Sequence, residues 1–177
     1  IVPPEGVIGI ISIKKHLNDS DIKNECEALW EASKLCQTKG KSEESLRGPF
    51  LGLISAKSKI EKARTNIEDW IFGKLEELYN KDPKPYFDDL VGYIGVLNEW
   101  SIFKRRPKEK PKEADFIYFN HSDYESHLGL QFLLTGILSV FYDETRSNVN
   151  RPGFTAFPSK RDADKQIGKI DISGIRK

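Results

Sequence analysis

Apolar positions along the chain fall into runs whose period switches from continuous to helical and back. Residues 7–14 read VIGIISIK, a nearly unbroken β-branched run behind Pro3 and Pro4. Such continuity predicts a strand covered on both faces, at the centre of a sheet. The N-capping cluster Asn18-Asp19-Ser20-Asp21 comes next, and Ile22, Cys26, Leu29, Trp30 and Leu35 follow at helical spacing, predicting a helix to about Cys36. A polar, glycine-containing loop over 39–48 leads to a second apolar run at 49–55. Two such runs joined through a helix predict a βαβ crossover with parallel strands.

Ile60, Ala63, Ile67, Trp70, Ile71, Leu75 and Leu78 mark a second amphipathic helix, ended by Asn80-Lys81-Asp82-Pro83. Strands are predicted over 90–97, 100–104 and 116–119, the first two forming a hairpin through Asn98-Glu99. The stretch 104–113, KRRPKEKPKE, is charged and broken by proline, which predicts an exposed loop. Residues 125–144 hold the most apolar segment, with 15 residues between His127 and Asp143. A membrane span needs about 20, so a buried helix packed on the sheet is predicted and no stable membrane association is expected. From Arg146 onward the chain is polar apart from 153–157, and 159–177 reads as a loosely held tail.

These elements place the chain in the α/β class, a mixed sheet flanked by helices, with a domain over 1–145 and an irregular tail over 146–177. The 177 residues carry 28 Lys+Arg against 27 Asp+Glu, a formal charge of +1, with 10 Phe, 6 Tyr and 3 Trp to fill a core. That balance excludes disordered, collagen-like and polybasic classes and leaves only local basic patches to consider. Methionine is absent, where about three or four are expected at average usage, which suggests a fragment or a processed product. The opening residues lack the basic and apolar regions of a signal peptide. Cys26 and Cys36 lie about 15 Å apart along one predicted helix, too far to bridge. Two idle thiols in a reducing cytoplasm are the expectation.

Chemistry enters at Ser12-Ile13-Lys14. Alternation along a strand puts Ile10, Ser12 and Lys14 on one face, with Lys14 nearest the carboxyl end, where open α/β sheets place their ligand crevices. The run VPPEGVIGIISIKKHL over 2–17, followed by a helix and a second apolar strand, resembles the central strand of the restriction-endonuclease-like, PD-(D/E)xK superfamily. More narrowly, it is similar to a group of uncharacterised bacterial proteins that carry a segment like VPAEGVLAVIEVKSSL at this place. The resemblance covers residues 2–58 best and reaches more weakly to 88–91 and the apolar helix. It implies a restriction-endonuclease-like fold and a hydrolase of DNA phosphodiesters, with Mg²⁺ held by an upstream Asp and the Glu of the E-x-K triplet. Lys14 falls on the family lysine, whose role is to position or activate water. Ser12 stands where the carboxylate should be, and the strand that would supply the Asp lies before Ile1, which leaves the metal ligands unknown.

Mg²⁺ is usually held through one or two carboxylates, and a neutral hydroxyl beside an ammonium favours a phosphate over a cation. A degenerate or weakly active nuclease follows, in which Glu25 or Glu27 of the next helix could replace the missing acid. Ser12, Lys14 and Glu25 are therefore the catalytic candidates, and Lys15 and His16 are neighbouring phosphate contacts. Without the resemblance, Ser12 and Lys14 read as an ordinary strand end. Lys104, Arg105, Arg106, Lys108, Lys110 and Lys112 put six cations within nine residues, a pattern able to follow a nucleic-acid backbone, with Trp100 and Phe103 near enough to stack. A solvated loop guarding a sheet edge is the competing reading. His121, Asp123 and His127 resemble a metal site, but Ser122-Asp123-Tyr124-Glu125 fits a capping box more simply. No GxGxxG, GxxxxGK[ST] or GxSxG motif occurs. Two readings stay open, a nuclease-superfamily protein that binds or cleaves DNA and a catalytically inactive module for a protein partner or homo-oligomer.

Overall fold

In the computed structural model, the described residues are 6–36, 47–61, 66–107, 109–121, 127–143 and 165–174. They form a six-stranded mixed sheet in the order β1-β2-β3-β4-β5-β6 with three helices. Strand β1 (Gly9–Leu17) runs through helix α1 (Asp21–Leu35) into β2 (Phe50–Ser58), and helix α2 (Ile67–Tyr79) leads on to β3 (Tyr93–Val96). Both crossovers are parallel, the first as the two apolar runs joined through a helix predict, the second beyond that expectation. From β3 the sheet turns antiparallel through β4 (Trp100–Arg105), β5 (Glu113–Asn120) and β6 (Lys165–Asp171). The β3–β4 hairpin turns at Asn98, whose φ of 65° is a left-handed conformation that Asn adopts more readily than most residues.

Helices α1 and α2 cover one face of the sheet, where Ile22, Cys26, Leu29, Ile71, Leu75 and Leu78 meet Leu51, Leu53, Ile94 and Phe116. Helix α3 (Leu128–Phe141) covers the other, with Leu128, Phe132, Leu133 and Val140 on Phe50, Ile54 and Tyr93. Each such side chain, once buried, is worth about 1.5–3 kcal/mol, which explains why this apolar segment packs on the sheet. Gly136 lets α3 come close: a Cβ there would stand 2.2 Å from the Phe50 ring. Among the described residues no helix is long and apolar enough to cross a membrane. Cys26 and Cys36 are free thiols.

Four sequence expectations change. Among the described residues, strand β1 stands at the sheet edge, not its centre, because β2 pairs it on one side and no other strand follows in the sheet order. Its continuous apolar run is only half covered, and Ile13 remains 77% exposed. The segment expected to be a loose tail contains β6, which pairs with β5 and buries Ile170 and Ile172 in the main core. Helix α2 begins at Ile67, not near Ile60. The third strand is shorter than its apolar run because Phe87–Asp89 form a 3-10 turn before it. The capping box over 122–125 and the apolar group 153–157 lie outside the described residues.

Candidate functional site

The alternation of β1 directs Ser12 and Lys14 toward α1, and the first turns of α1 direct Glu25 back toward the strand. Ser12 Oγ donates to Glu25 Oε2 at 2.6 Å, and Lys14 Nζ stands 2.5 Å from Glu25 Oε1. All three catalytic candidates therefore meet, on elements separated by one crossover. The hydrogen bond from Lys14 and then that from Ser12 hold the Glu25 carboxyl below its ordinary pKa. Glu25 in turn raises Lys14, with a smaller Coulombic contribution from Asp21 one turn earlier on α1. Glu27, the other candidate acid, is exposed.

The donor set has a definite chemistry. One carboxylate has an ammonium on one oxygen and a hydroxyl on the other, so the cluster is close to neutral and compact. A hard divalent cation prefers several oxygen donors carrying net negative charge and would have to displace Lys14 from Glu25. Among the described residues, no group of three His, Cys, Asp or Glu side chains is placed to hold a metal.

A basic surface begins immediately beyond this cluster. Parallel register puts His16 of β1 across from Lys57 of β2, and the Lys59 N–H donates to the Leu17 carbonyl at 2.8 Å. Lys15, Lys57 and Lys59 are exposed. Among the described residues, none of the three forms an ion pair. Desolvation pushes the His16 pKa down, and Lys59, Lys15 and Lys57 lower it further. A cavity of about 500 Å³ opens beside them, walled by Asn18, Asp19 and Ser20 ahead of α1, by Lys59 and Glu61, and by Trp70 and Lys74 of α2. It sits at the carboxyl ends of β1 and β2, the crevice position that parallel strands favour. The sequence pointed to Lys15 and His16 but not to Lys57 and Lys59. The missed signal is the pair of lysines closing the second apolar run, which parallel pairing brings beside those closing the first.

The second basic stretch is built differently. Lys104, expected on an exposed loop, is only 8% exposed because β4 extends to Arg105 and turns this side chain inward. Its Nζ donates to the Phe87 carbonyl at 2.5 Å and the Leu90 carbonyl at 2.7 Å, 4.2 Å above the Phe87 ring. Burial pushes its pKa down to about 7, against the opposing pull of Asp88. Lys104 is thus a structural clamp on the 3-10 turn and is not open to a phosphate. Arg105 Nη2 pairs with buried Asp115 at 3.0 Å, whose other oxygen accepts from Gln166. Lys110 lies 3.4 Å from Glu113, whereas Arg106 is exposed. Lys108 lies outside the described residues.

An ionic group near the Lys104 clamp was also missed by sequence reasoning. Arg47 donates to the Ser139 carbonyl and to Asp143, each at 3.0 Å, and lies 3.6 Å from Asp88. It ties the end of α3 to the same turn. Of the metal lookalike, His121 is buried and His127 exposed, while Asp123 lies outside the described residues. No family model and no curated protein matches the chain.

Proposed function

We propose that this domain is a degenerate, nuclease-superfamily-like module that holds a nucleic-acid phosphate backbone at the carboxyl ends of β1 and β2, without a resident Mg²⁺. The observation that carries the reading is the parallel register that sets Lys57 of β2 across from His16 of β1 and ties Lys59 to the Leu17 carbonyl, with Lys59 on the wall of an open cavity. Exposed cations without carboxylate partners release counterions when a phosphate replaces them, which is the main source of sequence-independent affinity for DNA. The Ser12, Lys14 and Glu25 cluster keeps the place of an active site, but its single acid is already neutralised. Binding without hydrolysis follows from that donor set, and DNA is the partner the charge favours.

A salt titration of binding to a short duplex tests the reading. Wild type binds at about 50 mM salt with a steep log–log slope, and the double substitution Lys57→Ala, Lys59→Ala reduces that slope by up to about 1.8. No binding at low salt, or an unchanged slope in the variant, would overturn it. A parallel plasmid assay with Mg²⁺ examines the absence of cleavage. Cutting by wild type that disappears in Lys14→Ala would restore the hydrolase reading and assign Lys14 to it.

A further inference from the structure

We infer that β1 is a dimerisation edge, at which a second copy of this chain adds its own β1 in antiparallel register to continue the sheet. Three observations meet there. Strand β1 spans nine residues at the end of the sheet order, so among the described residues one row of its backbone groups has no strand beside it. The Ile8 carbonyl accepts from Phe50 N–H in β2, so by alternation Ile10 and Ser12 direct their backbone groups to β2. Those of Ile11 and Ile13 face outward, and the alternation breaks near Lys15, since the Leu17 carbonyl again faces β2 and accepts from Lys59 N–H. At the middle of this row the Ile13 side chain is 77% exposed.

The exposed apolar surface does not stop at the strand. Ile137 packs over Gly9, and Leu133 meets Ile11 over Gly52, so α3 runs opposite to β1 and its earlier turns lie toward Ile13. Leu134 and Leu130 on those turns are 57% and 45% exposed. A long edge strand flanked by uncovered aliphatic side chains is a template for pairing, and soluble proteins blunt such edges or cover them.

Charge selects the occupant and its direction. The first half of β1 is uncharged (Gly9, Ile10, Ile11, Ser12), and the second half is basic (Lys14, Lys15, His16). Parallel pairing of two copies would set each cation against its twin. Antiparallel pairing about Ile13 sets the basic half of one copy against the uncharged half of the other, with Lys14 opposite Ser12 of the other copy and within reach of the Glu25 to which that serine donates. The same register makes Ile13 meet itself in a hydrogen-bonded pair, which supplies two new backbone hydrogen bonds at the centre of the contact. Such an isologous two-fold interface closes at the dimer.

Sedimentation velocity of the full chain between about 1 and 100 µM, combined with residue-resolved amide exchange, tests the inference. A monomer–dimer equilibrium is expected, with exchange at Ile13 slowing as concentration rises. Ile13→Lys and, independently, Leu134→Glu each weaken association at least about tenfold, with circular dichroism unchanged because both side chains are exposed. A monomer throughout the range overturns the inference, as does a dimer that both substitutions leave intact. Protection at the Ile13 amide that does not depend on concentration also overturns it, and assigns the edge to another segment of the same chain.

Discussion

Lys14 and Lys104 are both lysines at or near the end of a strand, both followed by further cations, and the pattern of residues around them is similar. Their surroundings drive their chemistry in opposite directions. Lys14 reaches a carboxylate at the surface, and that partner raises its pKa. Lys104 reaches two carbonyls in the interior, and desolvation lowers its pKa to about 7. Carbonyl dipoles stabilise an ammonium less than a carboxylate does, so they offset only part of the cost of removing it from water. A run of basic residues therefore predicts a phosphate-binding surface only where the strand carrying it leaves the side chains uncovered. The closing stretches of β1 and β2 leave Lys15 and Lys57 exposed, and Lys59 just beyond β2 is exposed too, whereas β4 carries Lys104 into the core.

The largest effect expected from this contrast is on stability. Lys104→Met removes a donor from the buried Leu90 carbonyl, which costs about 1–3 kcal/mol when unsatisfied, and from the Phe87 carbonyl, which keeps the Leu90 N–H, while relieving part of the burial penalty of the ammonium. A net loss of about 2 kcal/mol at pH 7 is expected in urea unfolding. The pH dependence carries the sign. The folded pKa lies near 7, below the unfolded value of 10.5, so between these limits the unfolded chain binds the extra proton and this group makes stability rise with pH. The deficit of Lys104→Met relative to wild type should widen from pH 7 to pH 10, by a few kcal/mol. A constant deficit across that range would show that Lys104 stays charged in the fold and would end the contrast with Lys14.

A smaller effect is expected at the neighbouring cation. Arg105 is exposed at its guanidinium, but Asp115 is 5% exposed and depends on it. Arg105→Ala leaves Asp115 with the hydrogen bond from Gln166 and with Lys169 across from it on β6, for a loss of about 1 kcal/mol, and DNA binding per folded molecule should not change. Weakened binding with unchanged stability would return Arg105 to the phosphate-contacting set.

Local periodicity made most elements legible, including the first crossover, the hairpin at Asn98 and the buried α3. Ser12 and Lys14 were legible as a pair because strand alternation fixes their direction, whereas Glu25 stood beside Glu27 as a candidate acid until the fold turned Glu25 toward the strand and left Glu27 exposed. What the sequence hid is nonlocal. An apolar run such as 7–14 records how many faces are covered but not which strand stands alongside, so β1 read as central. Strand β6 has only two residues in the core cluster, Ile167 packed against it and Ile170 within it, too weak an alternation to stand out from a polar tail. Lys57 and Lys59 gain meaning only from parallel pairing with β1, and Lys104 was misplaced because the proline-rich charges after it concealed one more inward-facing strand position.

The smallest effect tests what Glu25 does. Glu25→Gln keeps the shape of the side chain and its ability to accept from Ser12 but removes the charge that neutralises Lys14. Since partly exposed ion pairs contribute little to stability, the urea midpoint at pH 7 should stay within experimental error. Wild type should lose the small contribution of this pair only as pH falls through the lowered Glu25 pKa, below the ordinary carboxylate value, a loss absent from the variant. DNA binding should respond in the opposite sense to a lost catalytic acid. With Lys14 freed, one more cation joins Lys15, Lys57 and Lys59, affinity at low salt rises two- to tenfold, and the slope steepens by up to about 0.9. Weaker binding in Glu25→Gln would instead mean that the carboxylate orients Lys14 toward the phosphate, and the cluster would then act as part of the binding surface, not as a neutral remnant beside it.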